Sequence, residues 1–252
     1  MSVNKKALAE AGIALVTGAA ARIGAAIAEI LHQRGCDVIL HYNSNIEAAQ
    51  QLADRLNAAR AGSASLVSAD LSALAGVEQL AGQVKSNFGK LDVLVNNASR
   101  FYPTAVGATL AWQWDDLMNS NLKGPYFLAQ ALLGELRAAR GSIINLLDVH
   151  SERPMKGHAA YCISKAGLAM MTLALARDLG PDIRVNGVSP GAILWPEDGM
   201  SDAAQQTILR QVPLQRPGDP DDIAGCVLYL IRDATYVTGQ IIAVDGGRSV
   251  GW

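Results

Sequence analysis

Short runs of Val, Ile and Leu alternate seven times with longer stretches of helical spacing, and this alternation constrains the chain more than any other feature. Ile13–Val16, Val38–Tyr42, Ser65–Ser68, Val93–Asn96, Ile143–Leu147, Arg184–Val188 and Ile241–Val244 read as strands. They are apolar at consecutive positions, the pattern of strands covered on both faces of a parallel sheet. Ile23–Arg34, Ile46–Ala59, Leu74–Phe88, Trp114–Ala139, Ala159–Leu179 and Pro220–Leu230 read as helices. Pro220 suits a first turn, where no backbone donor is needed. The expected fold class is α/β: one doubly wound, parallel, seven-stranded sheet with helices on both faces. No linker or repeat divides the chain, so residues 1–252 read as one domain. Gly191–Arg216 holds Pro196, Gly199 and Pro213 with weak periodicity, and is expected to form a substrate lid.

Composition excludes several function classes. The net charge of -2 comes without a basic block, so nucleic acid is not an expected partner. No uninterrupted apolar run reaches a membrane span, and Met1–Glu10 lacks a signal-type apolar core. Cys36, Cys162 and Cys226 are scattered, and the histidines form no H-x-x-x-H pair. Neither a disulfide framework nor a metal site is expected, and the setting is a reducing cytoplasm. Only 17% of residues are charged, which predicts surface buried between subunits of a homo-oligomer.

The first strand runs into Thr17-Gly18-Ala19-Ala20-Ala21-Arg22-Ile23-Gly24 and then a helix. Small residues let backbone approach a pyrophosphate, and the helix N-terminus supplies amide donors and a positive dipole end; this is the phosphate turn of a Rossmann-type fold. Arg22 at a helix start opposes the dipole, which makes sense for a phosphate ligand; the plainer reading is a surface arginine. The second strand ends His41-Tyr42-Asn43-Ser44-Asn45 with no acidic residue to accept from a ribose 2′-hydroxyl. Asn43, Ser44 and Asn45 can donate to a 2′-phosphate, so NADPH/NADP is the expected cofactor, although the same residues also suit a polar turn.

Tyr161-Cys162-Ile163-Ser164-Lys165 puts a tyrosine and a lysine on one helix face. A neighbouring cation is expected to stabilise the phenolate and lower the tyrosine pKa towards general-acid use. Together with Asp70-Leu71, Asn96-Asn97-Ala98-Ser99, Asn121 and Pro190-Gly191 in order, the chain resembles the short-chain dehydrogenases/reductases over nearly its whole length. That resemblance implies that Asp70 contacts adenine, that Asn97, Ala98 and Ser99 border the cofactor, and that Lys165 holds the nicotinamide ribose. It also implies that Asn121 holds a water of the proton relay.

Departures from the family pattern narrow the expectation. The usual catalytic serine lies thirteen positions before the tyrosine, where this chain has Asp148. A carboxylate there opposes a developing alkoxide but can relay a proton to nitrogen, which favours reduction of a C=N bond. The alternative is that Ser151 replaces the serine and Asp148 is a bystander. Arg22, Asp148, His41-Tyr42 and Phe101-Tyr102-Pro103-Thr104 together resemble pteridine reductases. That resemblance implies a flat pterin or folate held between Phe101 and the nicotinamide, with Arg22, Ser99, Asp148 and Tyr161 around it. With the low charge density, the family resemblance implies a homotetramer, and Trp114–Ala139 and Ala159–Leu179, which have more apolar positions than one core face needs, are the expected contact surfaces. Trp195 caps the pocket or merely packs the lid; Trp252 and Arg248 stand where those enzymes send an arginine to a neighbouring site. No role follows for His150, Arg153 or His158. The rival readings are a carbonyl or 3-oxoacyl thioester reductase, and a non-catalytic NADP-binding sensor or scaffold.

Overall fold

A computed structural model describes residues 12–193 and 199–251. Its strands are β1 (Ile13–Val16), β2 (Asp37–Tyr42), β3 (Ala64–Ser68), β4 (Val93–Asn96), β5 (Ser142–Leu146), β6 (Arg184–Pro190) and β7 (Ile241–Val244). They form one sheet in the order β3-β2-β1-β4-β5-β6-β7, with every pairing parallel. The helices are α1 (Arg22–Gln33), α2 (Ile46–Ala59), α3 (Leu74–Phe88), α4 (Ala111–Met118), α5 (Gly124–Ala131), α6 (Leu133–Ala139), α7 (Ala159–Leu179), α8 (Asp202–Leu209) and α9 (Pro220–Arg232).

Successive strand residues point to opposite faces, so the consecutive apolar runs serve two cores. Ala14, Val16, Val38, Leu40, Val95, Ile144 and Leu146 join Ile27 and Leu31 of α1, Leu52 and Leu56 of α2, and Ile223 and Val227 of α9. Leu15, Ile39, Leu94, Ile143 and Val185 join Leu80 and Val84 of α3, Leu128 of α5, Leu136 of α6 and Ala176 of α7. The expected two-sided sheet is what forms. At its edge β7 is only partly covered, because it has a neighbour on one side alone.

A polar thread crosses the second core. Asn96 and Asn145 are register partners on β4 and β5, and Asn96 Nδ2 donates to Asn145 Oδ1 at 2.8 Å. Asn145 Nδ2 donates to Thr172 Oγ1 at 2.9 Å, and that hydroxyl donates to Leu168 O at 2.8 Å. All three side chains are buried.

The helix expected over Trp114–Ala139 is three helices. A π-helical turn, Asn119–Lys123, separates α4 from α5, and α6 starts anew after Leu132. Pro125 explains the first break: it has no N–H for the carbonyl of Asn121, so the regular ladder fails there. The segment read as an irregular lid contains α8, which buries none of its residues and therefore shows little apolar periodicity. Helix α7 is, at 21 residues, long and apolar enough to cross a membrane by length and composition, although Lys165 and Arg177 interrupt its apolar run. Half of its most apolar window is buried in the fold, and it packs along β6, so its apolarity is that of a core helix.

Candidate active site

The strand order reverses between β1 and β4, and the loops leaving their carboxyl ends diverge into a crevice. One wall is built by Thr17. Its hydroxyl donates to Val95 O at 3.2 Å and accepts from the amides of Asn97 at 2.9 Å and Ala98 at 3.0 Å. Asn97 answers with its carboxamide, donating to Thr17 O at 2.9 Å and Gly18 O at 3.0 Å. Beneath them His41 is buried; Nδ1 accepts from Gly18 N–H at 3.1 Å, so Nε2–H donates to Ala69 O at 3.0 Å. Burial holds the His41 pKa below the ordinary imidazole value, which keeps Nδ1 an acceptor. His41 thus supports the phosphate turn from below.

The turn itself needs small residues. A Cβ on Gly24 would stand 2.1 Å from Gly18 O, closer than any real contact. Arg22 has φ +53, the left-handed conformation that a glycine adopts freely and an arginine adopts at a cost of about 1–2 kcal/mol. Ala21 caps α1 with no side-chain bond, and the first turn carries no acidic residue. The amides there lack intrahelical acceptors and no capping side chain takes their place, as an anion site requires. These walls enclose a cavity of about 480 Å³ lined by residues 18, 20–24, 41–45, 69–72, 97–100 and Ser120. The donor set and the steric demand for glycine fit a dinucleotide.

Tyr42, Asn43, Ser44 and Asn45 form the end of the cavity beyond β2, and Asn45 Oδ1 is committed to capping α2 through Ala48 N–H at 3.1 Å. Asp70, after β3, accepts from Ser72 N–H at 3.0 Å and Ser72 Oγ at 2.8 Å, bonds that hold its carboxyl below the usual range. Leu71 and Ser99 line the same cavity, whereas Pro190 and Gly191 end β6 on the far side of β5. Gly191 N–H donates to Val244 O at 3.1 Å.

At the end of β5, Asp148 meets Tyr161: the phenol donates to Asp148 Oδ2 at 2.7 Å, while Oδ1 accepts from His150 N–H at 2.8 Å. Lys165 is buried, donates to Leu146 O at 2.8 Å, and lies 5.9 Å from the Tyr161 ring centroid. Burial lowers the Lys165 pKa to about 8. The tyrosine pKa moves opposite to the expected direction. Burial raises it, and the Asp148 carboxylate raises it further by repelling a phenolate and accepting the phenol's hydrogen. The resting group is a proton-holding phenol. Ser151 begins no bond to Tyr161; its amide donates to Asp148 O at 2.9 Å within a 3-10 turn.

Asn121 is buried in the π-helical turn with its carboxamide fully engaged. Oδ1 accepts from Arg100 N–H at 2.8 Å; Nδ2 donates to Arg100 O at 3.0 Å and Ser164 Oγ at 3.1 Å. The side chain ties the Asn97–Arg100 segment to α7, and Pro125 has no N–H to give the main-chain carbonyl of Asn121.

Phe101 is 54% exposed. Its ring meets Tyr161 edge-on at 4.8 Å and 81°, and stacks on His158 at 4.8 Å and 9°. Arg248 approaches from the C-terminal turn: its Nε is buried without a partner among the described residues, and burial holds its pKa below the ordinary guanidinium value, offset in part by the carboxylates of Asp148 and Asp245. Trp195 and Trp252 lie outside the described residues.

Sequence reasoning gave no role to Thr17, Arg100, Ser164 or His158. Thr17 carried one signal, a polar residue at the end of a buried apolar strand. Arg100 pairs with Asp116 and lies 3.7 Å from Asp70, contacts that no local spacing announces.

The model of a family described as enoyl-(acyl carrier protein) reductase matches residues 18–249. Pteridine reductase 1 of Leishmania tarentolae is 38% identical over 281 aligned residues, covering 95% of this chain and 97% of its own. The 3-oxoacyl-(acyl-carrier-protein) reductase of Staphylococcus aureus strain N315 is 37% identical over 238 residues, covering 93% and 96%. Its counterpart in Staphylococcus epidermidis strain ATCC 12228 is 36% identical over 238 residues, covering 93% and 97%. With the parallel seven-stranded sheet and the matched span, the chain belongs to the short-chain dehydrogenase/reductase family of oxidoreductases.

Proposed function

We propose that this oxidoreductase is an NADPH-dependent pteridine reductase, reducing a C=N bond of a dihydropterin or dihydrofolate to the tetrahydro form. The observation that carries the reading is the 2.7 Å bond from Tyr161 to a carboxylate, Asp148, beside the exposed ring of Phe101. A carboxylate at that point repels the alkoxide of a reduced ketone, whereas a nitrogen becoming N–H needs only a proton. A half-exposed phenyl beside the proton donor suits a flat heteroaromatic substrate better than an extended acyl chain.

When bound, NADPH supplies the hydride. Gly18, Arg22, Ile23, Asn97, Ala98 and Ser99 would hold its pyrophosphate region, Asp70 and Leu71 the adenine, and Asn43 and Ser44 the 2′-phosphate. His41 acts by fixing the turn, and Pro190-Gly191 border the nicotinamide end. The strain at Arg22 supports a ligand role for its guanidinium, because a left-handed arginine persists where something offsets its cost. Tyr161 gives its phenolic proton to the substrate nitrogen, Lys165 stabilises the phenolate that results, and Asp148 is the bonded group through which the proton is replaced. Asn121 holds the relay water on its main-chain carbonyl.

The assembly we propose is a homotetramer. Tyr126 of α5 and Ile163, Met170 and Leu173 of α7 are apolar and exposed, on the elements expected to meet other copies. Sedimentation at micromolar concentration tests this, and a monomer would refute it.

NADPH oxidation with dihydrobiopterin and with an acetoacetyl thioester tests the activity. A kcat/KM higher for the pterin is expected. Preference for the thioester would make this a 3-oxoacyl reductase despite Asp148, and tight NADPH binding without turnover of either would support a sensor.

A further inference from the structure

His158 stands at the N-cap of α7, a position that Ser, Thr, Asn or Asp normally fills because a short oxygen side chain can accept from the first turn. Its side chain makes no such bond. Thr104 does that work from another segment, its hydroxyl accepting from Ala160 N–H at 3.3 Å. The imidazole is instead held flat. Nδ1–H donates to Lys156 O at 3.0 Å, and the backbone alongside is fixed by Thr104 N–H donating to Gly157 O at 2.7 Å. The ring then lies within 9° of parallel to Phe101, with centroids 4.8 Å apart.

Phe101 needs that support. Its segment belongs to no helix or strand, and its only other ring contact among the described residues is the edge-on one with Tyr161. Asn121 grips the neighbouring Arg100 backbone but leaves the phenyl free to turn. With one face covered by imidazole, the surface that remains exposed is presented in a fixed plane beside the tyrosine hydroxyl.

We propose that His158 is a positioning residue whose ring backs Phe101, so that a planar heteroaromatic substrate meets a pre-set stacking surface. The proposal rests on the pteridine reductase reading and deepens it by assigning the specificity for flat substrates to a pair of residues. The imidazole contributes through stacking rather than proton transfer, so it acts on substrate affinity and not on the chemical step.

The test uses the full-length enzyme with NADPH and dihydrobiopterin. His158→Ala is expected to raise the pterin KM about 3- to 10-fold, the range of one aromatic pair, with kcat and the NADPH KM within twofold. His158→Phe, which keeps a flat ring, is expected to restore the pterin KM; His158→Leu, which keeps bulk alone, is expected to behave like the alanine variant. Binding of a 2,4-diaminopteridine, followed by tryptophan fluorescence, is expected to weaken in the same order. A wild-type enzyme that neither reduces the dihydropterin nor binds the diaminopteridine overturns the pterin reading and this role with it. A wild-type enzyme that reduces dihydropterin while His158→Ala matches its KM, or shifts kcat and NADPH KM equally, removes the His158 role alone.

Discussion

At the β1–β4 crevice the polar side chains of the wall are spent on the loops around them, and the first amides of α1 are left without a capping side chain. Thr17 makes three hydrogen bonds, Asn97 two through its side chain, and His41 one from each ring nitrogen, all to the loops that form the wall. At the β5–α7 corner the groups are held but incompletely committed. Among the described residues the Tyr161 hydroxyl keeps a single bond, Phe101 is half exposed, and Arg248 Nε has no partner. The first region can be finished in advance because a dinucleotide presents the same phosphates at every turnover. The second must gain and lose a proton, so it is built around charges and rings whose last partner is the substrate.

The sharpest way to break this contrast is at the proton donor. Tyr161→Phe is expected to lower kcat by about 10³-fold, and Asp148→Asn by about 10²-fold for a dihydropterin, within the span of lost acid–base groups. NADPH affinity should hold within twofold in both, because the crevice is self-supporting; steady-state kinetics and cofactor titration read the two quantities separately. Asp148→Ser should lose pterin turnover and gain weak reduction of a 3-oxoacyl substrate. If Asp148→Asn keeps wild-type pterin turnover, Asp148 is a bystander and the argument for C=N reduction goes with it.

Thr17→Val probes the other region. It preserves shape but strands the amide of Ala98, while the amide of Asn97 keeps Val95 O at 3.1 Å, so the expected cost is about 1–3 kcal/mol, that of one buried unpaired donor. The denaturant midpoint should fall and NADPH should restore part of it. An unchanged midpoint would mean that the latch is redundant.

Lys165 gives the contrast a pH axis. Its pKa is about 8 when folded against an ordinary 10.5, so the unfolded chain binds more protons between those values and stability rises with pH there. Lys165→Met carries no buried cation, so wild type should gain stability relative to it from about pH 8 to 10.5. Activity should move the opposite way, with kcat/KM bending downward above about pH 8 as the cation that supports the phenolate is lost. A flat profile through pH 9 would remove the charge of Lys165 from the mechanism. The smallest effect is expected from Asn43→Asp: the NADPH KM should rise by about 3- to 10-fold through repulsion of the 2′-phosphate, with NADH little changed. Equal values for the two cofactors in wild type would end the argument from the end of β2.

The sheet was legible because two-sided burial writes itself as consecutive apolar residues, and the five inner strands are buried on that plan while the edge strands β3 and β7 are only partly covered. The phosphate turn and the Tyr161/Lys165 face were legible because each depends on spacing along one segment. Interactions between distant segments were not. His41 serves Gly18 from 23 residues away and Thr17 serves Asn97 from 80, and neither separation follows any period. The direction of the Tyr161 shift was misread because sequence shows which charges are near but not how deeply the phenol is buried. The break in Trp114–Ala139 could have been read from Pro125, whose missing donor outweighs an otherwise helical composition.

The Asn96–Asn145 bridge has a consequence for how the chain finds its alignment. If β4 slid one residue along β5, both carboxamides would lose each other and one would be turned to the opposite hydrocarbon layer. Such a slip in an all-aliphatic pair would leave one greasy contact exchanged for another, and the error would persist. Here it orphans amide groups at about 1–3 kcal/mol each, which is enough to discard the mispaired form. The bridge sits one residue before Asn97 and three before Asp148. It therefore acts as a key that sets the distance between the wall for the dinucleotide and the carboxylate for the proton before either has anything to bind.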